Sequence, residues 1–215
     1  MNAEDFGLNP GRARVEEGLD YRVIMPQLIA AGFDIWTPAD IMDARNDAVG
    51  KPWQDKVWEA YIDTAFGIAG TKEAVYLDPN SSSLQAITLS NGALPLSDAD
   101  RAGMQRYQRS DLILGRDLSK EEARKHPLWL AFADRNQRRL DTYVENTFRL
   151  GKDKYGYGKM MKVHPPKDGD LQALELGGLD GRSRVYVDDF YDYARLVAVR
   201  RNTTPDLGLA GRIES

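Results

Sequence analysis

Asp188, Asp189 and Asp192 place three carboxylates within five residues, between two strand-like runs at 182–187 and 194–200. Such a cluster offers the oxygen donors that Mg²⁺ or Ca²⁺ prefers. A metal held there would make the chain a carboxylate-metal-dependent hydrolase. The spacing departs from the EF-hand loop, which needs acids at alternate positions, a central glycine and a terminal glutamate. The simpler reading is a solvated hairpin tip whose acids balance Arg182, Arg184 and Arg195 across the strands. Phe190, Tyr191 and Tyr193 crowd the same tip, as a stacking wall or as packing beneath the loop.

A second group of candidates is basic and aromatic. Arg135, Arg138 and Arg139 fall on the outer side of a helix whose inner stripe is Leu140, Tyr143, Val144, Thr147 and Phe148. Lys152, Lys154, Tyr155 and Tyr157 follow it. Cations could line a nucleic-acid backbone while the tyrosines stack on bases. Residues 101–162 hold 15 Lys+Arg against 8 Asp+Glu, whereas residues 1–100 hold 7 against 16. Against that reading, the chain as a whole carries a net charge of −4. A salt-bridged solvent face is the simpler outcome, with Glu145 and Arg149 as an i,i+4 pair. Asp40, Asp43 and Asp47 could meet these central cations.

His126 and His164 are the only histidines, and each precedes a proline. Any imidazole acid–base chemistry would use one of them. No nucleophile elbow, zinc-binding HExxH or phosphate loop accompanies them. Gly151 followed by Lys152 and Lys154 reads as a helix C-terminus rather than an anion cradle. The chain has no cysteine, which excludes disulfides, thiol nucleophiles and thiolate metal sites. No cofactor is expected, and the sequence leans away from an enzyme.

These residues need a scaffold. At 215 residues with 42% hydrophobic and 29% charged content, the chain suits one domain. Such a chain can bury roughly 70% of the surface it exposes when unfolded. No run reaches the roughly 18 apolar residues that span a bilayer. The first residues are acidic and lack a signal peptide's basic start. A cytoplasmic protein is expected, with a protein or nucleic acid as partner and no membrane.

Along the chain, residues 1–20 predict a flexible arm and 201–215 a mobile tail, leaving a domain over 21–200. A helix is expected from near Met25, with Pro26 in its first turn. Thr37-Pro-Ala-Asp, Ser97 and Ser119-Lys-Glu-Glu are helix starts, the last a capping box. Trp53, Val57, Ala60, Tyr61, Thr64, Ala65 and Ile68 recur every three or four residues and predict a helix over 52–68. Strands are expected at 74–77, 84–89, 159–164, 171–176, 182–187 and 194–200, the last two as a closing hairpin. The fold class predicted is α+β: an antiparallel sheet built mainly from C-terminal strands, with helices packed on one face. Trp53, Trp58, Trp129, Tyr61, Tyr143 and Phe148 should supply much of the core. The function expected is a small soluble binding or interaction protein without a recognisable catalytic site; the alternatives are the nucleic-acid-associated protein and the metal-dependent hydrolase above.

Overall fold

The computed structural model describes residues 2–79, 96–169, 171–180, 183–188 and 193–200. The fold is α+β with a mostly antiparallel sheet. Its strands are β1 (Ala13–Asp20), β2 (Phe33–Ile35), β3 (Ile62–Gly70), β4 (Ala74–Asp78), β5 (Gln105–Gln108), β6 (Lys162–Val163), β7 (Gln172–Leu176), β8 (Arg184–Asp188) and β9 (Tyr193–Arg200). The helices are α1 (Tyr21–Ala30), α2 (Pro38–Ala48), α3 (Gln54–Glu59), α4 (Asp98–Ala102), α5 (Lys120–Lys125), α6 (Pro127–Phe132) and α7 (Gln137–Tyr155).

The sheet runs in the order β1-β9-β3-β7-β8-β6, with β2 also on β9, β4 on β3, and β5 on β4. Its two ends of chain meet: β1 pairs antiparallel with β9 from Ala13↔Val199 to Asp20↔Tyr193. The register shifts between Glu17 and Leu19. Gly18 sits there at φ 75°, a backbone region that glycine enters without steric cost. The first twenty residues are therefore not all a loose arm, since β1 is a paired strand.

Two further expectations change. Residues 62–70 form a strand, not the second half of a helix; α3 is only six residues long. Every residue of β3 is buried, so the strand shows no alternation of apolar and polar positions. A run apolar on both faces imitates a helical stripe. Nor do β8 and β9 close a hairpin: β8 pairs with β7 and β6, while β9 pairs with β1, β2 and β3. The chain crosses from one side of β3 and β7 to the other between them. Five of the nine described strands come from residues 13–108 and four from the last third.

Two apolar clusters result, one on each face. Phe66 and Ile68 of β3 join the larger, Ala65 and Ala69 the smaller, as alternate strand residues must. The larger cluster holds Trp58, Trp129 and Tyr143 and is covered by α2, α3, α5, α6 and α7. The smaller is covered by α1 through Met25 and Leu28. Helices thus lie on both faces, since β3 is apolar on both. Trp53 and Phe148 are only partly buried against the larger cluster. The helix starts are as local chemistry predicts: Thr37 with Asp40, Ser97 with Asp100, and Ser119 with Glu122 each form a reciprocal capping box. Asn136 caps α7, and Asp134 and Arg135 take φ of 56° and 55° just before it. The expected strand at 84–89 and the tail at 201–215 lie outside the described residues.

At the heart of the larger cluster is Arg45, whose side chain is fully buried. Its guanidinium donates to the carbonyls of Val57 (3.2 Å), Ala60 (2.7 Å) and Leu176 (3.3 Å), and to the Tyr143 hydroxyl (2.7 Å). Tyr143 in turn shares a 2.7 Å hydrogen bond with Ser183. Among the described residues no carboxylate pairs with this cation. One fork thus joins α2, the end of α3, β7 and α7, and holds α3 where the site below needs it.

Candidate functional site between helices α3 and α7

The last turn of α7 brings Lys154 and Tyr155 against α3. Asp55 and Glu59 are four residues apart on α3, so both carboxylates share one face. Lys154 Nζ lies between them, 3.0 Å from Asp55 and 2.5 Å from Glu59. The Tyr155 hydroxyl donates to Glu59 Oε1 at 2.7 Å. These bonds, from Lys154 first and then Tyr155, hold the Glu59 carboxyl below its ordinary range. Glu59 and Asp55 raise Lys154 above the usual lysine value. Burial, then the bond to Glu59, pushes the Tyr155 phenol up to about 12. Lys154 is a fixed cation and Glu59 a fixed anion across the physiological range.

Glycine chemistry sets where α7 stops. Gly156 takes φ 71°, its N–H donates to the Lys152 carbonyl and the Tyr157 N–H to the Gly151 carbonyl, so the helix ends there and not at Gly151. Gly151 is instead buried in the helix: a Cβ on it would stand 2.1 Å from Met160 Sδ. The extra turn is what carries Lys154 and Tyr155 onto α3. Beyond it Tyr157 stacks on Tyr155, with centroids 5.4 Å apart and planes at 17°.

Between α3 and α7 lies a cavity of about 230 Å³. Its apolar walls are Trp58, Leu150 and Leu179, and its polar rim includes Asp55, Glu59 and Lys154. Trp58 is 1% exposed and stacks on Tyr143 at 5.4 Å and 11°. Its indole N–H is buried without an acceptor. Buried donors are nearly always paired, and of the two buried indole N–H groups without an acceptor, those of Trp58 and Trp129, only Trp58 lines this cavity.

The other predicted binding residues are elsewhere. Arg138 and Arg139 open α7, and sixteen residues at 1.5 Å each put Arg138 about 24 Å from Lys154. Arg139 makes a two-pronged pair with Asp43 at 2.8 and 2.9 Å, raising its own already high pKa. Of the three α2 acids, Asp43 thus meets a central cation, while Asp40 caps its own helix through Thr37. Arg135 is exposed, and it partly offsets the burial that raises the Tyr107 phenol. Arg138 and Lys152 are exposed. The structure therefore brings Lys154, Tyr155 and Tyr157 together and sets the arginines apart. Glu145 pairs with Arg124 and Lys120 of α5 rather than with Arg149. Asp188 ends β8, and Asp189 and Asp192 lie outside the described residues. Arg195 binds Glu17, and its backbone N–H donates to Asp63 at 2.8 Å. Among the described residues no group of three His, Asp or Glu is placed to hold a metal ion.

His126 lines a second cavity, of about 290 Å³, at the junction of α5 and α6. Beside it Glu122 closes the α5 capping box and takes a two-pronged bond from Arg116 at 3.1 and 2.7 Å. Arg116 first, then the Ser119 N–H, draws the Glu122 carboxyl down to about 2. Its contribution to stability is complete above the ordinary value of 4.5 and is lost as pH falls through about 2. A carboxyl-carbon NMR titration should give Glu122 that low midpoint, and Arg116→Ala should return it toward 4.5. An ordinary midpoint in the wild type would show that the pair does not persist in water.

Sequence reasoning missed Asp55, Glu59 and Trp58 as site residues. The i,i+4 spacing of Asp55 and Glu59 was a visible signal, but their cation is about a hundred residues away.

Among the described residues no helix is long and apolar enough to cross a membrane. No family model matches the chain, and no curated protein is similar to it in sequence. A solved structure described as "Accommodation of massive sequence variation in Nanoarchaeota by the C-type lectin fold" does superpose, with a TM-score of 0.63 and 18% identity. The match covers 88% of this chain and 98% of that one. The chain is similar to that structure in fold: an α+β architecture of the C-type lectin kind.

Proposed function

We propose that this is a binding protein, and that the cavity between α3 and α7 receives a small, flat, uncharged ligand with an amide-like edge. The observation that carries this reading is the buried, unpaired indole N–H of Trp58 at the wall of a cavity rimmed by fixed carboxylates. A carbonyl on the ligand would accept from Trp58, and its amide hydrogens would donate to Asp55 or Glu59. Leu150 and Leu179 would take the apolar ring. The nearby C-type lectin fold, described as accommodating massive sequence variation, suits a scaffold whose loops and surfaces can be respecialised for binding. The nucleic-acid reading draws less support, because Arg139 and Lys154 already hold carboxylates.

Benzamide is a suitable first probe: it has a flat ring and one neutral amide. For a fragment of this size a Kd on the order of 1 mM is expected. Trp58→Phe keeps the ring stack but removes the donor, and should weaken benzamide by about 5- to 10-fold, as loss of one hydrogen bond does. Equal affinity in the variant and the wild type would refute this reading.

A further inference from the structure

We propose that the cavity at the α5–α6 junction is a second binding site, one that takes a primary ammonium group through the free ring nitrogen of His126. His126 is 2% exposed, and its Nε2 lies 3.0 Å from the carbonyl oxygen of Ile113. A carbonyl can only accept, so Nε2 carries the proton and donates. The neutral ring then has a bare lone pair on Nδ1. That atom is buried and has no hydrogen-bond partner. At a helix start a side chain often bonds the first-turn amides, but His126 makes no such bond to α6. The lone pair therefore wants a donor, and an acceptor left dry costs free energy.

The charges around the ring select the donor. Asp111, Glu121 and Glu122 line the cavity against the single cation Lys125. Glu122 is already neutralised by Arg116. Asp111 and Glu121 remain to balance an incoming cation. Ile113 and Pro127 offer apolar contact for a short chain behind the charged head. A primary ammonium carries three N–H donors, enough for Nδ1 and two carboxylates at once. A quaternary ammonium has the charge and no donor.

Protonation closes the same site. An imidazolium would present an N–H where the ligand's own N–H must sit, and would add a positive charge. α5 lines the cavity with Glu121, Glu122 and Lys125, the preceding strap with Asp111, and α6 with Pro127, while Arg116 reaches the site only through its pair with Glu122. Burial keeps His126 below its ordinary value of 6.5, so the ring is neutral and receptive near pH 7.

The test uses n-butylammonium as probe and tetramethylammonium as control on the full chain, read by the ring resonances of His126. Butylammonium should produce a saturable shift at His126, and tetramethylammonium none. Below the midpoint of His126 titration, measured in the same spectra, the apparent affinity should fall about tenfold per pH unit, since only the neutral ring binds. The surface variants Asp111→Asn and Glu121→Gln keep His126 as the reporter, and each should weaken the probe about fivefold. Equal response to tetramethylammonium, affinity indifferent to His126 protonation, or no shift at about 50 mM probe would each overturn the proposal.

Discussion

Arg45→Ala is expected to lower the stability of the protein by about 4 kcal/mol, measured as a shift of the urea midpoint at unchanged slope. The side chain serves four acceptors from three separate stretches of chain: Val57, Ala60 and Leu176 carbonyls and the Tyr143 hydroxyl. Its removal leaves the carbonyls without this donor in a dry interior, at about 1–3 kcal/mol for each that finds no other partner. It also empties a volume next to Trp58, over which the guanidinium lies at 5.8 Å. For a chain of this size the loss corresponds to a melting temperature lower by about 8–16 °C. Arg45→Lys keeps the charge but not the planar fork that reaches opposite sides, and should recover only part of the loss. A change of less than about 1 kcal/mol for Arg45→Ala would mean that the network does not hold α3 in place.

Gly178→Ala should rank next, at about 3 kcal/mol. A Cβ on Gly178 would stand 2.3 Å from the carbonyl oxygen of Glu59 and 2.6 Å from its carbonyl carbon. Both are backbone atoms at the end of α3, so no side chain can swing away. The neighbouring bonds tie the same place together: Leu179 N–H to the Trp58 carbonyl at 2.7 Å, and Ser183 N–H to the Gly178 carbonyl at 2.8 Å. The added methyl must push residues 177–180 off α3, which carries Leu179 away from the cavity wall. Benzamide binding should therefore be lost together with stability. Gly158→Ala is the control, because nothing lies within 4 Å of its Cβ position and its backbone is ordinary. That variant should stay within about 0.5 kcal/mol of wild type. If the two substitutions behave alike, the close approach at Gly178 is not what positions the loop.

How far such features can be read from sequence depends on how far apart their parts lie. Thr37 with Asp40 and Ser119 with Glu122 are three residues apart, and both capping boxes are legible as written. The stripe of Leu140, Tyr143 and Val144 is legible for the same reason: one helix face repeats within a single segment. β3 is not legible, because it is buried on both faces and its two polar residues, Asp63 and Thr64, are adjacent and so show no period of two. The partner of β9 is also hidden. The run at 184–200 looks like a local hairpin, yet β9 pairs with β1 near the other end of the chain. Nothing near Tyr193 announces that choice.

The site follows the same rule. Lys154, Tyr155 and Tyr157 stand out as a cluster, but what they do is set by Glu59 and Asp55, which answer from another helix. Arg45 looks like one more surface charge on α2, and only the folded core shows it to be buried. Its role needs three carbonyls that no side-chain pattern records.

The central claim is that Trp58 offers its indole N–H to a ligand between α3 and α7. The most direct measurement is the nitrogen–proton spectrum of the four tryptophan side chains while benzamide is added. The Trp58 indole resonance should move downfield and saturate, that of Trp129, which does not line the cavity, should stay in place, and the Trp58→Phe spectrum should lose the responding peak. A Trp58 resonance that does not move while benzamide reaches about 20 mM would contradict it.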